Sequence, residues 1–405
     1  MKLVFFFLMI PGLLFGALTF ESNYQKEVEL LQSFDIDSSF LYDKELQKIV
    51  QRKRKDYKTK HFFKAMDDAY LFIPMMKNIL SNSTVPSEFL FLAMAESNFS
   101  AKAYSTKKAS GLWQFMPKTG RSFGLKIDEY VDERRDLVKS TTAAVKYLEK
   151  EHERFGKWYL AAIAYNCGGG RVARAIKRAG TDDLTVLLNP KKRYLPRESR
   201  RYIRKIIALA LLGTDETFLI DSEYEFLLNR ANAFSIAAVE VQKGERLSRV
   251  AAMLEMPRKE IVKYNTHLKY DFIPPNAQHY TIYIPYVKLS EFKQKYKPAK
   301  LQEFYIVHKV KSGESLSKIG KKYKVSYQLI KEFNNLKSNR LSLRQKLIIP
   351  VARPMRLHDG LYTVKSGDTL ASIAKNNKVS VGHLKKINHL KSDMIRIGNK
   401  LEIYD

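Results

Sequence analysis

The stretch that decides the fold of the first half of the chain runs from Phe89 to Gly120 and reads FLFLAMAESNFSAKAYSTKKASGLWQFMPKTG. It begins with an entirely apolar run, whose first charged residue is Glu96. Helical spacing puts Glu96 on the same face as Leu92 and Ala93, so a buried helix would end on a carboxylate. Desolvation raises the pKa of such a group, which could then act as a general acid near neutral pH. A salt-bridge or capping role stays open for an isolated Glu at a helix end.

The wider pattern resembles the catalytic core of family 1 lytic transglycosylases, the soluble-lytic-transglycosylase or goose-lysozyme-like group. Four motifs carry the resemblance: Glu96-Ser97, Gly-Leu-Trp-Gln-Phe-Met at 111–116, Ala-Tyr-Asn with two glycines at 164–170, and Leu-Pro-Arg-Glu-Ser followed by Tyr at 195–202. The resemblance implies a mainly α-helical, lysozyme-like catalytic domain over residues 75–215. The chain departs from the family where Thr106-Lys107-Lys108 replace the usual Gly-Ala after Ser105.

The same resemblance implies the chemistry and its residues. Glu96 would protonate the glycosidic oxygen between MurNAc and GlcNAc, then deprotonate the C6 hydroxyl of MurNAc to give a 1,6-anhydro product without water. The implied substrate-binding residues are Ser105, Gln114, Met116, Tyr165, Asn166 and Glu198. Two plainer interpretations stay open, since Tyr165 could only pack and Glu198 could pair with a neighbouring arginine. The eight His residues show no HExxH or similar spacing, so neither a metal nor a cofactor is implied.

Three aligned stretches show that the second half of the chain is built from repeats. They are VQKGERLSRVA from Val241, VKSGESLSKIG from Val310 and VKSGDTLASIA from Val364. An Asn follows the glycine of each stretch at the same distance, at positions 265, 334 and 388. Alternating starts, a Gly turn and helical spacing of the apolar residues predict strand–helix–helix–strand units. The predicted fold class is therefore α+β multidomain, a helical domain followed by small βααβ modules.

These units resemble LysM modules, which bind glycans that contain N-acetylglucosamine. Residues 304–350 and 361–405 match along their whole length, whereas residues 238–286 form a degenerate module with Arg246 where the others have Ser or Thr. The resemblance implies glycan binding through the turn that enters the first helix of each complete module. The candidate residues are Gly313, Glu314, Ser315, Leu316, Gly367, Asp368, Thr369 and Leu370.

The amino terminus predicts export. Lys2 precedes an uncharged, mostly apolar run from Leu3 to Leu18, which is typical of a secretory signal peptide over residues 1–18. An uncleaved anchor, with peripheral membrane association through the N-terminus, is the alternative. We expect the remainder to lie in the periplasm or cell envelope, with residues 19–74 as a helical lead-in. The single cysteine, Cys167, excludes an intramolecular disulfide framework.

The charge of the chain needs a polyanionic partner. Lys and Arg number 71 against 42 Asp and Glu, a net charge of +29. Nucleic acid is the first guess from charge alone, but an exported chain with glycan-binding modules favours peptidoglycan strands and excludes nucleic acid. No protein partner is indicated. The predicted function is a peptidoglycan lytic transglycosylase retained on the wall by LysM modules; a lysozyme-like hydrolase and a non-catalytic scaffold are the alternatives.

Overall fold

The computed structural model describes residues 23–58, 69, 72–221, 236–274, 277, 279–298, 304–334, 336–351, 361–377, 379–390 and 392–403. The predicted signal segment and part of the lead-in, residues 59–68, lie outside this range. The chain forms two compact units, which are described separately below. The first holds the catalytic region with most of the degenerate module, and the second holds the two complete modules. In the described residues, no helix is both long and apolar enough to cross a bilayer.

The catalytic region is helical. After a helical stretch over 23–33, its helices are α1 Lys44–Lys58, α2 Ile73–Ser81, α3 Leu90–Ser97, α4 Pro117–Ser122, α5 Leu137–Phe155, α6 Trp158–Cys167, α7 Gly169–Ala179, α8 Leu184–Leu187, α9 Arg197–Thr214 and α10 Glu216–Asp221. The predicted helical domain is thereby confirmed. Its core is built where α9 packs against α3 and α6, because α3 and α6 are apolar over most of their surface and α9 contributes one apolar face.

Local sequence signals explain several helix ends. Asp136 caps α5 by accepting hydrogen bonds from the backbone N–H groups of Val138 and Lys139, at 3.0 and 2.9 Å. The helix ends at Gly156, whose φ of 69° is the left-handed conformation that glycine adopts without strain. Gly168 separates α6 from α7 with a φ of 86°. Asp136 is therefore the N-cap of α5, and the 168–170 glycines lie at a helix junction.

The degenerate module consists of β1 Ile236–Gln242, α11 Leu247–Met253, α12 Arg258–Tyr264 and β2 His279–Pro285, followed by α13 Leu289–Lys295. Its two strands pair with each other. The repeated Asn explains part of the pattern, because Asn265 donates to the carbonyls of Ile261 and Tyr283 and accepts from the Tyr283 N–H. One buried side chain thereby joins the second helix to the closing strand.

This module packs on the catalytic region through buried polar contacts. The Tyr283 hydroxyl donates to Asp136 at 2.8 Å, and the Tyr280 hydroxyl donates to Glu133 at 3.0 Å. His267 is fully buried, with its Nδ1 atom 3.7 Å from the second oxygen of Asp136. Burial lowers the pKa of His267, so the imidazole is neutral in this contact. The module is thus a fixed part of the first unit.

The second unit contains two βααβ modules with separate cores. The first has β3 Phe304–Lys309, α14 Leu316–Tyr323, α15 Tyr327–Phe333 and β4 Lys346–Val351, and the second has β5 Leu361–Thr363, α16 Leu370–Asn377, α17 Val381–Ile387 and β6 Lys400–Glu402. In each, the first and last strands pair antiparallel, from Phe304↔Val351 to Lys309↔Lys346 and from Leu361↔Glu402 to Thr363↔Lys400. The predicted order strand–helix–helix–strand is confirmed.

Candidate active site

Glu96 lies in the last turn of α3, at the edge of the helical core. The preceding residues from Leu90 to Ala95 are all buried. Asn98 then adopts a left-handed conformation with a φ of 50°, which ends the helix immediately after the Glu96-Ser97 pair. The Ser97 hydroxyl donates to the Leu112 carbonyl at 2.8 Å and so ties this helix end to the 111–116 segment.

A cleft of about 720 Å³ opens beside Glu96. Its walls come from three helices and the end of a fourth: α1, the end of α3, the start of α9, and Asn166 at the end of α6. The lining is strongly basic apart from two carboxylates, Glu96 and Glu198. The charged residues that complete it are Arg52, Lys53, Arg197, Arg201 and Lys205. Such a volume is typical of a binding site for a small molecule or a short stretch of polymer.

Burial is the main influence on the Glu96 carboxyl, and it raises the pKa of Glu96 above the ordinary value. The hydrogen bond that the Tyr202 hydroxyl donates, at 2.5 Å, and the positive charge of Lys205 lower the pKa in part, while the charge of Glu198 raises it. The Tyr202 pKa is itself raised well above 10 by burial, so Tyr202 remains a hydrogen-bond donor. Glu96 can therefore carry a proton at a higher pH than an exposed glutamate.

The 111–116 segment is fixed by backbone fit rather than by side-chain burial alone. Gly111 has a φ of 82°, and a Cβ atom built on it would lie 1.7 Å from the backbone oxygen of Arg134. Trp113 is fully buried and donates to Thr141 at 3.0 Å, while the Tyr165 hydroxyl donates to the Trp113 carbonyl at 2.8 Å. The hydroxyl of the partly buried Tyr165 thus has a hydrogen-bond partner within the protein.

The structure places the sequence-predicted residues in two groups. Asn166 and Glu198 line the cleft together with Glu96. Ser105, Gln114, Met116 and Tyr165 lie outside the cavity wall, on or against the segment that Ser97 ties to α3. No ion pair involves Glu198 within the described part of the chain, so the arginine pairing that the sequence left open as an alternative is absent there.

The polar side chains of the second group, Ser105 and Gln114, form hydrogen bonds within the protein. The Ser105 hydroxyl accepts the Ala109 N–H at 3.0 Å and thereby closes the loop that contains Thr106-Lys107-Lys108. The Gln114 side-chain amide donates to the Gly111 carbonyl at 2.8 Å. Met116 is 43% exposed, immediately before α4. Sugar contacts by these residues remain a prediction.

The sequence analysis did not identify Tyr202 and Lys205 as residues of the site. Tyr202 is the direct hydrogen-bond partner of Glu96, and the Lys205 ammonium group donates to the carbonyl of Ala95, the residue before Glu96. Their spacing was the available signal, because Glu198, Tyr202 and Lys205 follow one another at i, i+4 and i+7 on α9. The face that carries Glu198 therefore also carries the partners of Glu96.

The candidate glycan-binding residues of the complete modules form the turn into the first helix. The left-handed Gly313 precedes Glu314, whose carboxylate accepts from the Lys311 N–H at 2.7 Å and contacts His308 at 2.7 Å, while Ser315 caps α14. Asp368 accepts from the Lys365 N–H and from the Tyr362 hydroxyl in the same way. Leu316 and Leu370 are buried in the module cores. These contacts give the motif residues a structural role, and glycan binding remains a prediction.

The degenerate module differs from the complete ones at Arg246, which replaces the Ser or Thr of their first helix caps. It occupies the helix-cap position without making a side-chain cap and instead lies 3.7 Å from Asp271.

Among the residues that the structure describes, no group of three or more His, Cys, Asp or Glu side chains could hold a metal ion.

The comparisons with known proteins agree with this architecture. Residues 74–187 match the transglycosylase SLT domain, residues 308–350 and 362–403 match the LysM domain, and residues 235–300 match the LysM-like domain of lytic transglycosylase MltD. The helical fold with a carboxylate in its cleft, followed by these modules, is that of a lytic transglycosylase. The predictions of fold class and enzyme class are confirmed.

The chain is similar along most of its length to the membrane-bound lytic murein transglycosylase D of Escherichia coli K12. The two are 29% identical over 345 residues, which cover 79% of this chain and 73% of the relative. The cell wall-binding protein YocH of Bacillus subtilis is 37% identical over 94 residues, 23% of this chain and 32% of that protein. The crystal structure of the 70 kDa soluble lytic transglycosylase SLT70 from Escherichia coli matches with a TM-score of 0.29 and 24% identity, over 37% of this chain and 25% of that one.

Proposed function

We propose that this lytic transglycosylase cleaves the β-1,4 bond between MurNAc and GlcNAc without water and leaves 1,6-anhydroMurNAc ends. The observation that carries the proposal is the partly buried Glu96 carboxyl, with its raised pKa, at the wall of the 720 Å³ cleft. A protonated carboxyl is the group that can donate a proton to a leaving glycosidic oxygen.

One carboxyl performs both proton transfers in this scheme. Glu96 gives its proton to the GlcNAc oxygen as the C1–O bond of MurNAc breaks, and the charge at C1 becomes oxocarbenium-like. The Glu96 carboxylate then takes the proton of the MurNAc C6 hydroxyl, whose oxygen forms the new bond to C1. Glu96 ends in its starting protonation state, and no water is consumed. Ser105, Gln114, Met116, Tyr165 and Asn166 are the candidates for holding the sugar.

The position of Glu198 favours one alternative function, a lysozyme-like hydrolase. It is a second carboxylate on the same cleft wall, and a lysozyme-like hydrolase would use a second carboxylate to activate water or to attack C1. The two functions differ in whether the new sugar end is reducing. We expect digestion of purified peptidoglycan to release soluble fragments without a matching gain of reducing ends. A gain of one reducing end for each bond cleaved would support the hydrolase instead.

Substitution of Tyr202 by Phe should change the pH profile as well as the rate. The Tyr202 hydroxyl stabilises the ionised form of Glu96, so its removal raises the Glu96 pKa further. Because Glu96 must be protonated to act as the acid, the alkaline limb of kcat/KM should move to higher pH, while the maximum falls by roughly tenfold. Measurement of kcat/KM against pH for both proteins checks this. A fall in rate with an unmoved alkaline limb would leave Tyr202 only a packing role.

We also propose that the chain is exported to the periplasm or cell envelope and held there on peptidoglycan. The LysM matches and the charge distribution support this, because residues 286–405 contain 26 basic and 9 acidic residues, a net charge of +17. The carboxylates of the wall are the complementary charges, and specificity would come from the sugar-binding turns. An additional membrane contact through an uncleaved N-terminal segment is the alternative to retention on peptidoglycan alone.

Deletion of residues 304–405 should weaken retention on insoluble peptidoglycan by about tenfold or more, because several weak sites on one chain raise the effective concentration of each. Added salt should weaken binding of the full chain more than that of the truncated chain, since residues 304–405 hold 21 basic and 7 acidic residues and their deletion removes a net charge of +14 out of +29. Cosedimentation with purified peptidoglycan across a salt series measures both effects. Equal retention of the two proteins would exclude an anchoring role for the modules.

A further inference from the structure

A second cavity lies beside the Glu96 cleft and is lined mainly by arginines. This arginine pocket has a volume of about 660 Å³, and none of its lining residues is acidic. Six of the lining residues are Arg171, Arg174, Arg178, Arg193, Arg197 and Arg200. The first three follow one another at i, i+3 and i+7 and so share one face of α7. The other three come from the turn before α9 and its first residues.

The arginines of this pocket lack counterions in the part of the chain that the structure describes. None of the six forms an ion pair there, whereas Arg204, one turn further along α9, binds Asp43 at 2.8 Å. Arg200 donates to the Leu195 carbonyl at 2.6 Å, and the Arg178 guanidinium lies 5.8 Å from the centre of the Tyr194 ring. These contacts orient guanidinium groups without neutralising them. Six like charges around one cavity repel one another, and a bound anion would relieve that repulsion.

The chemistry of the lining defines the ligand as an oxyanion. Guanidinium groups bind carboxylates and phosphates through paired, parallel hydrogen bonds, and several of them together favour a ligand with more than one negative group. Burial and the charges of Arg204, Arg193 and Arg197 lower the pKa of Arg200, which reports the same crowding of positive charge. The apolar part of the wall, from Pro190, Leu195 and Pro196, suits the aliphatic portion of such a ligand.

The position of the pocket indicates which of these anions, a carboxylate or a phosphate, it binds. Arg197 lines both the arginine pocket and the cleft that contains Glu96, so the two cavities are neighbours. A peptidoglycan strand in the cleft carries peptide stems whose free carboxylates project from the sugar chain. We propose that the arginine pocket binds the stem-peptide carboxylates of the strand that is cleaved at Glu96, and so favours strands that keep their stems. This inference rests on the proposed function, because it takes the glycan to be the ligand of the cleft.

A binding experiment tests the pocket without turnover. The full chain carrying E96Q is titrated with a disaccharide-peptide fragment of peptidoglycan and with the same disaccharide after its stem has been removed. Because the LysM modules meet the same sugars in both titrations, the ratio of the two Kd values isolates the stem. We expect the stem to tighten binding by about tenfold, the size of one or two charge-assisted hydrogen bonds. The ratio should fall to about one when R171Q, R174Q and R178Q are added.

The matched control removes three positive charges elsewhere on the catalytic region, as K55Q, K146Q and K150Q, all at exposed positions. It should leave the Kd ratio at about ten. A ratio that stays at ten in the arginine variant, or that is already one in E96Q alone, overturns the proposal. Tripolyphosphate that binds in an arginine-dependent manner while the stem has no effect also overturns it, in favour of a phosphate polymer. A failure of the proposed function would appear separately, as wild-type digestion without anhydro products.

Discussion

Replacement of Glu96 by Gln should lower the rate of peptidoglycan cleavage by about 10²–10⁴-fold, which is the usual contribution of a general acid–base group. Glutamine has nearly the same shape and can keep the contact with Tyr202, but it can neither donate the proton to the leaving oxygen nor accept one from the C6 hydroxyl. Binding of glycan in the cleft should be nearly unchanged. Release of soluble fragments from purified peptidoglycan, followed over time, measures the effect.

The same variant should be at least as stable as the wild type, although it is inactive. The partly buried Glu96 carboxyl is less favourable to ionise in the folded protein than in the unfolded chain, as its raised pKa indicates, and Gln removes that penalty at neutral pH. We therefore expect an unfolding midpoint equal to or above that of the wild type. Glu153→Gln, on the exposed face of α5, is the matched control and should keep full activity. Substantial cleavage by Glu96→Gln with normal folding would remove Glu96 from the mechanism.

Replacement of Asp136 by Ala should destabilise the catalytic region by about 3–4 kcal/mol. Asp136 is fully buried, and one of its oxygens accepts hydrogen bonds from two backbone N–H groups of α5 and from Tyr283. Alanine would remove the helix cap and leave the Tyr283 hydroxyl and the His267 ring buried without this carboxylate. Both tryptophans, Trp113 and Trp158, are buried in the catalytic region, so their fluorescence reports its unfolding without interference from the LysM modules.

Asp183 provides the control for this change. It caps α8 by accepting the Val186 N–H at 2.9 Å, but it is exposed, and among the described residues it makes no hydrogen bond to the degenerate module. Asp183→Ala should therefore cost only about 1 kcal/mol, the value of a helix cap alone. Equal losses for the two variants would show that the contact between the degenerate module and the catalytic region adds nothing to stability.

Much of this fold follows from local sequence signals. The apolar run before Glu96, the cap at Asp136 and the glycine turns of the repeats each specify a helix or a turn through neighbouring residues. The repeated Asn of the first two modules can be explained by its three hydrogen bonds to the second helix and the closing strand, as Asn334 shows with Ile330 and Ile348. The resemblance named Glu96, and the physical reason for its raised pKa could be stated from helical spacing alone.

The remaining features depend on contacts between segments far apart in the chain. That Tyr202 reaches Glu96 requires α3 and α9 to pack together across 106 residues. The contact of Tyr283 with Asp136 spans 147 residues, and no local pattern predicts it. The spacing of Arg171, Arg174 and Arg178 is visible in the sequence, but the pocket exists only because the turn before α9 and the start of α9 bring Arg193 and Arg197 to the same cavity.

The mass of the released disaccharide-peptide tests the central claim most directly. Wild-type protein should release products lighter by one water molecule than those of a hydrolase, because the C6 oxygen of MurNAc closes on C1, and Glu96→Gln should release almost none. Mass spectrometry of a complete digest distinguishes the two masses without ambiguity. Products of the hydrolysed mass, formed by wild type and dependent on Glu96, would contradict the account.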